Sequence, residues 1–220
     1  TPFVLGLNGN AITFAGALAA RLVEPGQLGD PVLAGARLRA EAQAALARGK
    51  RLRLGVVHRY SSHNYKLRYW LAASGIRPDE DVEITTVAPP FMADALASGE
   101  IDGACVGEPW NSLCVERGAG NIVLATAQIW RRGVEKVLAF RETVLDDRRD
   151  AAERLIRAMR RAGAHFVDPA NWQANAAILA RADYLDGDAA LIHRAISDRL
   201  VLTRGAEPVH YADFMFQHSE

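Results

Sequence analysis

Cysteine is nearly absent from this chain, net charge is absent altogether and no long apolar run occurs; each lack excludes a class of protein. Cys105 and Cys114 are the only thiols in 220 residues, and neither lies in a CxxC or Cys/His pattern, so a zinc centre has no ligand set to start from. Cys105 falls in a strand-like run and Cys114 in the helix-like stretch 111–116, which makes two buried free thiols the expectation rather than a disulfide. With 26 basic and 26 acidic residues the formal charge is zero, so no overall field gathers nucleic acid or an anionic membrane. Any anion has to be recognised locally. No apolar stretch approaches the roughly 20 residues that span a bilayer, and Thr1-Pro2-Phe3 lacks the basic start of a signal peptide. His165, His193, His210 and His218 have no partner at metal-ligand spacing and read as surface or hydrogen-bonded side chains. Neither a metal nor a cofactor is expected.

What is present is α/β material. Half of the residues are hydrophobic and 24% are charged, enough for one large core or two small ones. In Asp102-Gly103-Ala104-Cys105-Val106-Gly107-Glu108-Pro109-Trp110 an apolar run stops at a glycine, an acid, a proline and a tryptophan. Strand ends of this kind line ligand clefts in open α/β sheets, where helix N-termini and loop amides converge; a turn with a buried tryptophan is the alternative. A second motif favours the cleft. The strand-like run 52–57 is followed by Tyr60-Ser61-Ser62-His63, a helix pattern and Gly75. Ser61 and Ser62 are N-cap residues, Gly75 is a C-terminal stop, and His63 sits among first-turn amides that attract an anion.

Along the chain, 3–7 reads as a strand and 11–22 as a helix, with Asn8-Gly9-Asn10 marking its start. A loop at 24–31 precedes an alanine-rich helix over 32–48 that Gly49 ends. From Leu52 the pattern alternates: strands at 52–57, 82–87, 101–106 and 122–124, with helices at 63–74, 91–98 and 111–117. This is βαβ logic with a mostly parallel sheet. A strand over 134–140 follows, and 146–200 is mostly helical, with an apolar stripe of Ala152, Leu155, Ile156, Met159 and Ala162 that marks a core face.

Five motifs occur in order: Asn8-Gly9-Asn10-Ala11-Ile12-Thr13; Ser62-His63 before Leu67-Arg68-Tyr69-Trp70-Leu71-Ala72-Ala73; Pro89-Pro90-Phe91-Met92 before Gly99-Glu100-Ile101-Asp102; Cys105 to Trp110; and Glu135-Lys136-Val137-Leu138. Over most of residues 1–140 the chain resembles the nitrate/nitrite and bicarbonate-binding proteins of the periplasmic-binding-protein type II class, which includes related nitrate/nitrite sensors. The resemblance implies two α/β lobes with a small oxyanion between them. It divides the chain into 1–50 as part of lobe I, 51–132 as lobe II, and 133–220 as a return to lobe I with C-terminal helices. The first lobe is then incomplete at both ends, the second of them at Phe214 to Glu220.

By resemblance, His63 and Lys136 match the anion-contacting positions, and Asn8 or Asn10 falls where relatives often have glutamine. His63, Lys136 and an asparagine amide are all donors. Ser62 lies at the helix start, Gly107 admits close backbone approach, and Glu108 would orient His63 or Lys136. Nitrate offers acceptors only, whereas a carboxylate could accept from the hydroxyl of bicarbonate. A cationic Lys136 in a desolvated site therefore favours nitrate or nitrite; pairing of Lys136 with Glu108 or Glu135 is the structural alternative. Three function classes follow: a solute receptor of an ABC importer, which would be periplasmic; a cytoplasmic sensor of the same fold that controls a regulatory partner; and an enzyme using Cys105 and His63. A cysteine inside an apolar strand lacks the electropositive setting of a reactive thiol, so no catalytic residue is assigned.

Overall fold

The segment expected to open a helix at Ala11 is instead a buried strand. In the computed structural model of the chain, which describes residues 3–216, Asn10–Ala15 forms strand β2, and the helix starts only at Gly16. Asn10 to Phe14 are buried without interruption. A strand covered on both faces shows no alternation, so its pattern cannot be told from that of a buried helix. Thr1, Pro2 and residues 217–220, including His218, lie outside the described residues.

In chain order the elements are β1 (Phe3–Asn8), β2, α1 (Gly16–Leu22), α2 (Pro31–Ala47), β3 (Leu52–Val56), α3 (Ser62–Ala73), β4 (Val82–Thr86), α4 (Met92–Ala97), β5 (Gly103–Gly107), α5 (Trp110–Glu116), β6 (Gly120–Ala125), β7 (Val134–Leu138), α6 (Glu142–Asp147), α7 (Arg149–Val167), α8 (Trp172–Leu179), α9 (Ala189–Ile196), β8 (Arg199–Leu200), β9 (Val209–His210) and β10 (Met215–Phe216). Local signals fix several ends. Asp30 caps α2, accepting from the amides of Val32 and Leu33, with Pro31 in the first turn. Gly75, at φ 73°, follows α3 in the left-handed conformation that ends helices.

Five strands form one sheet in the order β4-β3-β5-β2-β6. β3 is parallel to β4 and β5, but β2 runs antiparallel to both of its neighbours. The sheet is therefore mixed, although the strands expected from Leu52 onward, β3, β4, β5 and β6, all run the same way and β2 alone opposes them. A second sheet, β10-β1-β7, is antiparallel throughout, and β8 pairs with β9.

Sheet membership changes within the first ten residues. The chain leaves the three-stranded sheet at Asn8, turns through Gly9 at φ 82° and enters the five-stranded sheet at Asn10. Ala34, Leu38 and Ala42 of α2 share one core with Leu67, Trp70 and Leu71 of α3, so 10–47 packs with 52–125. The chain returns between β6 and β7. Its last part does not stay with one sheet either: Leu200, Leu202 and Phe214 pack on Ala11, Ile122 and Ala125 of the five-stranded sheet. The stripe read on α7 is also mostly uncovered; Ala152 is buried, while Leu155 stays 42% exposed. No helix among the described residues is long and apolar enough to cross a membrane.

Candidate functional site

The carboxyl ends of β3 and β5 and the first turn of α3 face β1 and β7 across a cavity of about 550 Å³. Asn10, Val57, His63 and Gly107 line one wall, and Gly6, Glu135 and Lys136 line the other. A groove of about 540 Å³ between α2 and α3 is of similar size, but none of the buried polar atoms without a hydrogen bond lies in its walls.

His63 reaches the first cavity because α3 starts where it does. Ser61, in an extended conformation, caps the helix by accepting from the Asn64 amide at 3.3 Å. His63, Leu67, Trp70 and Leu71 then fall on the buried face of the helix. The His63 side chain is only 10% exposed, and neither ring nitrogen has a hydrogen-bond partner. Burial holds the ring down to about 4, against the pull of Glu135 and with the push of Lys136 and Lys66. It is neutral near pH 7, with one donor and one acceptor left unused. Nε2 stands 3.9 Å from Glu135 Oε1, too far for a hydrogen bond.

Glu135 organises the opposite wall. Its carboxylate accepts from Asn10 Nδ2 at 2.8 Å, from Ser62 Oγ and from Lys136 Nζ at 3.0 Å. Burial alone would raise its pKa, but these hydrogen bonds and the neighbouring His63 and Lys136 bring it below the usual carboxylate value. Through Glu135 the structure brings together His63, Lys136, Asn10 and Ser62. Gly107 lies across from Asn10 in the sheet. A β-carbon there would stand 3.1 Å from Asn10 Oδ1 and 3.6 Å from His63 Nε2, so glycine keeps the floor open.

Three expectations change. Asn8 lines the cavity but has no donor to offer it: its Nδ2 donates to the carbonyls of Arg131 and Asp213 at 2.7 and 3.1 Å, and its Oδ1 accepts from Gly133. Those bonds bind the crossovers together and leave no free amide hydrogen. Glu108 orients neither His63 nor Lys136. It accepts from the Ser112 amide at 3.2 Å, and full burial pushes its carboxyl up to about 7. Lys136 is not desolvated, because 69% of its side chain is exposed and it is bonded to its neighbour Glu135. The carboxylate bonded to Lys136 is Glu135, the alternative partner that the sequence offered.

Lys66 was missed entirely. It stands three residues after His63 on the same helix, and its Nζ is buried without a hydrogen bond; the i, i+3 spacing was the available signal. Cys105 is fully buried and its thiol is pushed up to about 12 by burial, while Cys114 is also free and buried. Neither matches an activated thiolate. Among the described residues no group of His, Cys, Asp and Glu side chains could hold a metal ion.

Known proteins of the same kind match this chain. The chain is 37% identical over 168 residues to the bicarbonate transport ATP-binding protein CmpC of Synechocystis, covering 76% of this chain and 25% of that protein. It is 35% identical over 150 residues to the nitrate/nitrite binding protein NrtA of Synechococcus elongatus, covering 68% of this chain and 33% of that one. The chain therefore spans only a quarter to a third of these relatives. The crystal structure of the periplasmic nitrate-binding protein NrtA from Synechocystis superposes with a TM-score of 0.82 at 23% identity, over 97% of this chain and 53% of that chain. The likeness to nitrate/nitrite and bicarbonate-binding proteins read from the sequence is borne out, and with the NMT1-like family matching residues 1–180, the chain belongs to that family and has the α/β fold of the periplasmic binding proteins.

Proposed function

We propose that the protein binds a small, singly charged oxyanion, nitrate or nitrite in the first instance, in the cavity between its two larger sheets, as the solute-binding component of an ABC importer. One observation carries the reading: both ring nitrogens of His63 are buried at the cavity wall without a partner, opposite Lys136 and Glu135. Buried polar groups without partners are rare in folded proteins and mark an absent ligand when they line a cavity. Relatives that carry nitrate or bicarbonate in their names support the oxyanion class.

The free hydrogen-bonding capacity favours an acceptor-only ligand. Glu135 already accepts three hydrogen bonds, so a bicarbonate hydroxyl would compete for the capacity that remains. Neutral His63 donates from one nitrogen, and Lys136 retains N–H groups beyond the one directed at Glu135. Closure of the two sheets over the anion would then present the outer faces to the transporter subunits, without chemistry.

Isothermal titration of the protein with nitrate, nitrite and bicarbonate at fixed pH tests the ligand. Nitrate or nitrite binding supports the reading; binding of bicarbonate alone rejects the nitrate preference, and silence rejects the function.

A further inference from the structure

Lys66 lies one turn beyond His63 on α3, facing the point where the chain enters β7. Its Nζ is enclosed and makes no hydrogen bond. It packs against Gly133, where a β-carbon would run into Nζ and stand 2.6 Å from Cε; glycine is the residue that leaves it room. An ammonium held in this way is unfavourable unless a negative charge lies near.

Glu135 supplies that charge without touching Lys66. Burial lowers the Lys66 pKa, and Glu135 opposes the shift by favouring the charged form. Two cations therefore flank one buried carboxylate: Lys136 by a hydrogen bond and Lys66 through the protein interior. His63 adds nothing to the count, because burial keeps its ring neutral down to about 4. Glu108, also on the cavity, subtracts nothing below about 7, where burial keeps it protonated. One positive charge is left over at the cavity.

We propose that Lys66 sets the charge of the anion site: it offsets Glu135 from behind, so that the Lys136 ammonium stays available to the ligand and the cavity suits a singly charged oxyanion rather than a divalent one. This rests on the oxyanion reading above. Lys66 acts through Glu135 and is a positioning charge rather than a contact, since Nζ is closed off from the cavity. A field of this kind operates strongly only where water is excluded, which is why a buried lysine matters more here than another surface one.

The test is a charge-balance cycle, read by titration calorimetry with nitrate and sulfate at about pH 6, where Glu108 is protonated. Lys66→Met is expected to lower nitrate affinity about tenfold, because Glu135 then cancels Lys136. Lys66→Met/Glu135→Gln is expected to return nitrate affinity to within about threefold of the unaltered protein, since the surplus charge is restored. A lysine with a merely structural role gives no such rescue. Glu135→Gln alone removes the carboxylate that shares the Lys136 charge, so sulfate affinity is expected to rise about tenfold. That arm stands even where Lys66→Met does not fold. A further readout is the His63 titration by NMR, which moves upward when the Lys66 charge is removed. Unchanged nitrate affinity in folded Lys66→Met, a double variant no tighter than that single one, or no gain for sulfate in Glu135→Gln overturns the assignment and leaves anion binding intact. An unaltered protein that binds no nitrate overturns the nitrate reading itself, and this inference with it.

Discussion

Asn8 and Gly133 lock the two crossovers together: the Asn8 amide donates to the Gly133 carbonyl, and the Gly133 amide donates to Asn8 Oδ1, each at 2.9 Å. Asn8 holds φ 59° while doing so, a conformation that asparagine tolerates better than alanine. Asn8→Ala removes three side-chain hydrogen bonds and adds backbone strain, for an expected loss of about 2–4 kcal/mol. Asn8→Gly keeps the backbone conformation available and is expected to lose about half of that. Urea unfolding separates the two; equal midpoints for both variants and the unaltered protein would refute the lock.

His63→Ala and Lys136→Ala are expected to weaken nitrate binding by different routes. Removing His63 takes away the buried groups without partners, for an expected loss of about 10–100-fold. Were Lys136 desolvated, as the sequence suggests, its loss would abolish binding. With 69% of its side chain exposed and Glu135 sharing its charge, the loss is instead expected to be about tenfold. Calorimetry on both variants decides, and complete loss only in Lys136→Ala would show that the lysine is the desolvated contact.

The motifs that carry the site were legible because each follows from a local rule. Ser61 caps α3, Gly75 stops it, and Gly107 to Trp110 marks the end of β5, so His63, Ser62 and Gly107 could be named from their neighbours in the chain. The boundary between sheets was not legible. Asn10–Ala15 is buried almost throughout, so nothing in its periodicity separates strand from helix. Long-range pairing hid the rest. That Glu135 would collect Asn10 and Ser62, and that Asn8 would bind the crossovers, depends on residues more than 70 positions apart.

Two buried titrations are expected to oppose each other in the pH dependence of stability. His63 titrates at about 4 when folded, below its ordinary 6.5, so its share of stability is complete above about 6.5 and lost as pH falls toward 4. Glu108 titrates at about 7 when folded, above its ordinary 4.5, so its share is complete below about 4.5 and lost as pH rises through 7. Each shift corresponds to about 3 kcal/mol. Between pH 4.5 and 6.5 the two slopes are expected to cancel in the unaltered protein. His63→Gln should expose a fall in stability with rising pH, and Glu108→Gln a rise. Urea midpoints across this range give the slopes directly; parallel curves for all three proteins would show that neither group is buried as described.

Gly133→Ala offers a stability measurement that does not depend on any ligand. The added methyl would meet the end of the Lys66 side chain, Nζ and Cε, well inside van der Waals contact, and the ammonium has to leave its enclosed seat beside Gly133. The expected loss is about 1–3 kcal/mol, as for overpacking elsewhere in well-filled interiors. Shortening the partner makes the space: in Lys66→Ala/Gly133→Ala the methyl occupies the volume left by the lysine stem. The double variant is therefore expected to be more stable than the sum of the single effects by about 1 kcal/mol or more, the coupling of residues in direct contact. Simple additivity would mean that Lys66 does not rest on Gly133, and the charge argument built on its burial would lose its geometric footing.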